Sequence, residues 1–220
     1  MNGDSDSTGL FIVFEGVEGA GKSTHLRLLA ERLRRKGIPH CVVREPGGTP
    51  AGERIRRVVL DPVLDICAEA ELLLMLAARA EFVRRLVRPA LARGEVVLAD
   101  RYELSTFAYQ GIARGLGLDT VRRLNAFATG GLEPDAVILL AVEPEAGRRR
   151  KRGAADRIER EPDEFFLRVA AAYRELAERV PGIITVDGDL AVPDVQERIL
   201  QELARRWPET FDLESGYRCE

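Results

Sequence analysis

The chain has 220 residues, 45% hydrophobic and 31% charged, enough apolar material for one domain with a substantial core. Its net charge of −3 gives no global basic field for nucleic acid. The cysteines Cys41, Cys67 and Cys219 are far apart with no CxxC, and His25 and His40 are scattered, which excludes a disulfide framework and a histidine-based metal site and points to a reducing, cytoplasmic setting.

The opening MNGDSDSTG lacks the basic patch and apolar run of a signal peptide and reads as a disordered tail over residues 1–9. No apolar run approaches the roughly 18 residues of a membrane span. LFIVFEG is a short apolar run closed by glycine, a buried-strand signal. A helix follows with Leu26, Leu29 and Leu33 on one face and Gly37 as its stop. HCVVREPGG is a second strand ending in a Pro-Gly turn, and AGERIRRVVLD a short helix. AEAELLLMLAARAEFVRRLVRPALARG is a long helix with a kink expected near Pro89. EVVLADR is a third strand, followed by helical stretches over about 105–113 and 118–128. DAVILLAV and GIITVDG are the fourth and fifth strands. Between them lie EAGRRRKRGAADRIERE and the helix PDEFFLRVAAAYRELAERV. A last helix spans about 192–207, so the domain runs over 10–207 and 208–220 read as a tail.

Strands alternating with helices imply a five-stranded parallel sheet covered by helices on both faces, an α/β fold. Right-handed crossovers place the strand ends on one edge, where such sheets bind ligands. GVEGAGKS, REPGG and ADRY each follow a strand and therefore converge there.

Gly16-x4-Gly21-Lys22-Ser23 has phosphate-loop spacing, set between a buried strand and an amphipathic helix, which makes the fold a P-loop NTPase type. Across Gly16, Val17, Glu18, Gly19, Ala20, Gly21, Lys22, Ser23 and Thr24, the glycines let backbone N–H groups point inward and the helix start adds a positive dipole. Lys22 reaches the β and γ oxygens and Ser23 can ligate Mg²⁺, so the expected ligand is ATP with Mg²⁺. Glu18, an anion inside this loop, needs a compensating cation.

A switch GTPase would carry Asn-Lys-x-Asp, but neither Asn2 nor Asn125 precedes a lysine. A kinase needs an acceptor pocket. Asp100 at a strand end suits a place near the metal, Arg101 suits an acceptor phosphate, and Arg79 lies on the long helix. A nucleotide-binding regulator without transfer activity is the reading from a different class.

FEGVEGAGKST, REPGGT, LLMLAAR, DRYELSTFAYQG and DRIE, in this order and spacing, resemble bacterial thymidylate kinase over about 11–173. The resemblance implies transfer of the ATP γ-phosphoryl to dTMP with Mg²⁺ and a homodimeric assembly. It places Asp100 by the metal, Arg79 and Arg101 on the dTMP phosphate, and Glu45 and Arg56 at the acceptor pocket. Thr106 and Gln110 fall at the thymine edge, with Tyr109 against the sugar and Ser105 on the same wall. Met75 stands where the family commonly has a phenylalanine that stacks on thymine, which leaves a phosphate-loop kinase for another deoxynucleoside or nucleoside monophosphate as the alternative.

Phosphoryl transfer needs cations where charge spreads. The loop offers Glu18-Gly19 where some relatives have an acidic residue and then arginine. The run Arg148 to Arg152, followed by Gly153-Ala154-Ala155 and then Arg157, suits a lid over about 147–161 that closes on ATP. The resemblance points to Arg152 as the catalytic lid arginine, with Arg157 near the phosphates, and leaves Arg149 and Arg150 open as alternatives. It places Glu18 toward the acceptor end.

Overall fold

A computed structural model describes residues 9–150 and 154–212. The readings for residues 1–8, for Arg152 and for 213–220 lie outside the described residues.

Five parallel strands, β1 (Phe11–Glu15), β2 (His40–Arg44), β3 (Val96–Asp100), β4 (Ala136–Ala141) and β5 (Ile183–Asp187), form one sheet in the order β2-β3-β1-β4-β5. Every residue of central β1 is buried, so the continuous apolar run FIVF is what a strand covered on both faces requires. From β1 the chain steps out to β2, returns through β3, and then crosses to β4 on the far side of β1. The crevice at this reversal opens past the carboxyl ends of β1 and β3, whose register pairs Phe14 with Asp100.

The first helix, α1 (Lys22–Arg35), starts at Gly21, whose φ of 95° is left-handed backbone that glycine adopts without cost. It buries Leu26, Leu29 and Leu33, the expected face. In α2 (Pro50–Leu60), Thr49 Oγ1 caps the helix by accepting from Gly52 N at 2.9 Å, and Pro50 opens the first turn. The long helix is divided into α3 (Ala68–Phe82), a π-helical turn Val83–Val87, and α4 (Arg88–Ala92). Pro89 has no N–H to return to residue 85, and the wide turn just before it absorbs the break. After β3 come α5 (Glu103–Thr106), a second π turn Phe107–Ala113, and α6 (Leu118–Thr129).

The arginine run expected to belong wholly to a lid begins as a helix, α7 (Pro144–Arg150). A 3-10 turn Ile158–Arg160 leads into α8 (Asp163–Arg179), and α9 (Val192–Arg206) follows β5. Helices cover both faces of the sheet: α1 packs with α9, while α8 and α6 pack on the second π turn and α6 also meets α3.

The reading of 208–220 as a tail is corrected at its start. Pro208–Phe211 forms α10, and Phe211 is fully buried with its ring 6.5 Å from that of Trp207. One aromatic in a short polar stretch gives no periodicity, but it has a core edge to cover. Gly9, read as tail, likewise donates to Leu91 O at 3.0 Å.

Candidate active site

The loop after β1 wraps around its own lysine. Lys22 Nζ donates to Gly16 O at 3.0 Å and Val17 O at 2.9 Å, in a largely buried position. Burial, reinforced by the nearby Arg101 charge, lowers the Lys22 ammonium to about 8. A cation so far from water favours an incoming anion. Next along the chain, Ser23 Oγ donates to Asp100 Oδ2 at 2.8 Å, which brings two hard oxygen donors together beside the loop. Among the described residues, no group of three or more His, Cys, Asp or Glu could hold a metal. A two-oxygen site next to a polyphosphate loop fits Mg²⁺, which binds through one or two protein oxygens plus phosphates and water.

Glu18 finds its cation across the crevice. Its Oε1 accepts from Arg101 Nη2 at 2.6 Å, so the loop carboxylate faces the candidate acceptor side. Gly19 has φ 74°, and a Cβ built there would lie 2.0 Å from Gly147 O on α7. Reciprocally, a Cβ on Gly147 would lie 2.2 Å from Glu18 O. The phosphate loop and α7 thus touch backbone to backbone. No arginine fits at position 19 without displacing α7, a physical reason for the loop's missing positive charge.

Arg101 itself has φ 73°, a left-handed conformation costly for a residue with a Cβ and of the kind found at functional sites. The surroundings hold it there. Arg101 N donates to Phe14 O, and Nη1 reaches Ser105 Oγ at 2.9 Å and Tyr173 Oη at 3.2 Å. Beneath lies Glu15, fully buried, accepting from Tyr102 N, Ser105 N, Ser105 Oγ and Tyr173 Oη. The guanidinium also lies over the Tyr109 ring, 5.5 Å from its centroid.

Arg79 is 2% exposed, although an isolated helical arginine more often faces solvent. Nε donates to Glu45 Oε1 at 2.6 Å, Nη1 to Asn125 Oδ1 at 2.7 Å, and Nη2 to Tyr102 O and to Thr106 Oγ1 at 2.8 Å. Burial pushes the Glu45 carboxyl up to about 7, against the pull of Arg79. Glu45 Oε2 and Tyr109 Oη are buried without a hydrogen-bond partner. Both residues line the same cavity, and such orphaned polar atoms are costly unless a ligand satisfies them. Arg56 donates to Pro46 O at 2.9 Å, and burial together with Arg44 lowers its ordinary basicity, so two guanidiniums converge at this rim.

These groups share one cavity of about 720 Å³. It is lined at one end by the loop from Glu18 to Thr24 and at the other by Glu45, Arg56, Met75, Arg79 and Gln110. Asp100, Arg101, Ser105, Thr106 and Tyr109 also face it. Gly16 and Val17 do not, serving the site through the carbonyls that hold Lys22.

Arg157 is a correction. It was expected near the phosphates, but Nε donates to Val59 O at 2.7 Å and Nη2 to Glu71 Oε2 at 2.5 Å, and it does not line the cavity. Buried Glu71 draws it toward α3, and no local pattern connects positions 71 and 157. Of the other described lid arginines, Arg148 pairs with Asp163, Arg149 with Glu145, and Arg150 with Asp189 and Gly188 O. Among these three, Arg150 lines the cavity. Sequence reasoning also missed Arg44, Glu15, Asn125, Tyr173 and Glu71. Arg44 had a signal, the first letter of REPGG; the others sit in unremarkable helix or strand contexts.

A parallel sheet in this strand order, a lysine-filled phosphate loop and an arginine-lined pocket in the same cavity define a phosphate-loop nucleotide kinase. A family model for thymidylate kinase matches residues 14–199. The chain is 47% identical over 213 residues to the thymidylate kinase of Pseudomonas fluorescens strain Pf0-1, covering 95% of this chain and all of the relative. It is 50% identical over 177 residues to that of Deinococcus radiodurans, covering 80% and 86%. With the thymidylate kinase of Kosmotoga olearia it shares 42% over 196 residues, covering 88% and 94%. The chain belongs to the thymidylate kinase family.

Proposed function

We propose that the chain transfers the γ-phosphoryl group of ATP to dTMP, giving ADP and dTDP, a step toward dTTP. The observation that carries this is the single cavity with Lys22 at one end and the Arg101 and Arg79 pocket at the other. Two phosphate-bearing ligands placed there meet head to head, the arrangement direct transfer needs. The loop N–H groups and the Lys22 ammonium take the β and γ oxygens in place of the Gly16 and Val17 carbonyls. Ser23 and Asp100 would hold Mg²⁺, which would supply positive charge to offset that of the phosphates.

A phosphate oxygen of dTMP attacks the γ-phosphorus while the bond to the β,γ-bridging oxygen breaks, and the electron pair leaves with ADP. The acceptor phosphate is already largely ionised at neutral pH, its second pKa being about 6, so no general base is required. Glu18 and Asp100 therefore orient rather than abstract.

The expected pair of phosphate-binding arginines divides. Arg79 has four of its five N–H donors committed within the protein, whereas Arg101 exchanges a single carboxylate, Glu18, for phosphate. We assign the phosphate to Arg101 with Arg56, and the base to Arg79, Thr106, Gln110 and Met75, with Tyr109 against the sugar. A panel of dTMP, dUMP, dCMP, UMP and thymidine with ATP tests this. dTMP is expected to be the best acceptor, with ATP hydrolysis slow in its absence. Equal turnover on thymidine or UMP would replace it with the alternative kinase reading, and ATP turnover indifferent to acceptors with the regulator reading.

The enzyme is taken as a cytoplasmic homodimer. Among the described residues no helix is long and apolar enough to cross a membrane, and Cys41 and Cys67 are free thiols. Leu73 on α3 and Leu124 and Phe127 on α6 are exposed, Phe127 at 89%, on two helices that touch each other. An isologous contact across this face would bury them. Phe127→Asp is expected to shift sedimentation from dimer to monomer at micromolar concentration. A wild-type monomer would remove the dimer from the account.

A further inference from the structure

Glu71 is fully buried on α3 and gathers donors from three directions. Its Oε1 accepts from Gln110 Nε2 at 2.7 Å and Arg114 Nε at 3.2 Å. Its Oε2 accepts from Arg114 Nη2 at 3.0 Å and from Arg157 Nη2 at 2.5 Å. A carboxylate flanked by two guanidiniums is ionised and can only accept. The Gln110 amide must therefore turn its NH₂ toward Glu71.

The consequence falls on the other half of the amide. Gln110 is 2% exposed and lines the acceptor end of the cavity with Thr106, Arg79 and Met75. With Nε2 held by Glu71, the carbonyl oxygen Oε1 is the half of the amide left to meet a ligand. It accepts no hydrogen bond among the described residues and is not one of the fully buried orphaned atoms, and the residue that carries it lines the cavity. A buried wall thus presents an acceptor, not a donor, to a base.

We propose that Glu71 is a positioning residue for acceptor-base selection, holding the Gln110 carbonyl oxygen toward the base so that a pyrimidine carrying an N3–H is taken and one with a bare N3 is refused. The inference rests on the dTMP reading above. Thymine donates from N3, whereas cytosine would set its N3 lone pair against Gln110 Oε1. Arg157, arriving from the lid side, clamps Glu71 in this role, so the expected phosphate ligand instead supports the base reader.

The test is the ratio of kcat/KM for dTMP to that for dCMP, measured on the full chain with ATP. In Glu71→Gln, the new amide can donate to Gln110 Oε1 and let the Gln110 amide invert. The ratio is expected to fall roughly tenfold to a hundredfold, the scale of a mispaired buried polar group. The KM for ATP stays unchanged, which a general structural loss would not spare. A folded, active Glu71→Gln protein with the wild-type ratio would overturn the inference while leaving dTMP kinase activity intact. A wild-type protein that ignores dTMP would overturn the functional reading and this inference with it. If Glu71→Gln does not fold, Gln110→Met, close in volume, is expected to lose the ratio to a similar extent. Retention of the ratio there would equally overturn the proposal.

Discussion

Lys22→Met is expected to lower the turnover number by about a thousandfold, the upper range for removing one preorganised charge-stabilising donor. Its side chain is buried under the loop and donates to the Gly16 and Val17 carbonyls, so its ammonium is already where triphosphate oxygens enter. Methionine keeps the aliphatic stem and volume. The fold is therefore expected to stay intact, with a Tm no lower than wild type, and the loss to appear in kcat. The same lysine sets a pH limb. Its pKa is lowered to about 8 by burial first and by Arg101 second, so the free enzyme loses this cation as pH rises through 8. ATP must then recruit a proton to the site as it binds. Accordingly kcat/KM for ATP is expected to be level below pH 8 and to fall above it, with the limb absent in Lys22→Met. Steady-state kinetics from pH 6.5 to 9.5 at constant ionic strength, in steps of about half a unit, is sufficient to locate a limb of this kind. Near-normal turnover in Lys22→Met would remove the lysine from the transferring phosphate.

Arg152→Ala is expected to lower kcat by about 10³, the scale of a lost arginine finger, with a smaller change in nucleotide affinity. Position 19 cannot supply the cation, because a Cβ there meets Gly147 O at 2.0 Å. Arg157 is held by Glu71 and Val59 O, and Arg148, Arg149 and Arg150 each pair with a carboxylate. The family resemblance points to Arg152 for this charge, with Arg149 and Arg150 as the alternatives. Arg157→Ala separates the roles: it is expected to disturb acceptor selection through Glu71 and leave kcat with dTMP within an order of magnitude. If Arg152→Ala kept wild-type turnover while Arg150→Ala lost it, the finger would be Arg150, which already lines the cavity.

The sheet and the phosphate loop were legible because each is written in one contiguous stretch. FIVF followed by Gly-x4-Gly-Lys-Ser states strand, turn and helix start together. The Asp100–Arg101 pair was legible because β3 ends there, next to β1 in the sheet. What escaped was written in distant pieces. Glu15 reads as the last letter of a buried strand until Ser105 and Tyr173, 90 and 158 positions away, arrive to satisfy it. Arg79 was named from the resemblance, but its burial against Glu45 and Asn125, 34 and 46 positions away, was not. The lid composition suggested mobility and catalysis together, yet Arg157 answers to a buried glutamate 86 positions earlier. The two π turns left no mark in periodicity, though one of them carries Tyr109 and Gln110 into the cavity.

On this reading one crevice holds donor and acceptor with their phosphates facing each other between Lys22 and Arg101. Adenosine and thymidine joined 5′ to 5′ through a polyphosphate test it most directly, by inhibition kinetics against each substrate in turn. Competitive inhibition is expected against both ATP and dTMP, abolished against ATP by Lys22→Met and against dTMP by Arg101→Ala. Competition with ATP alone, with dTMP still binding the inhibited enzyme at undiminished affinity, would contradict it.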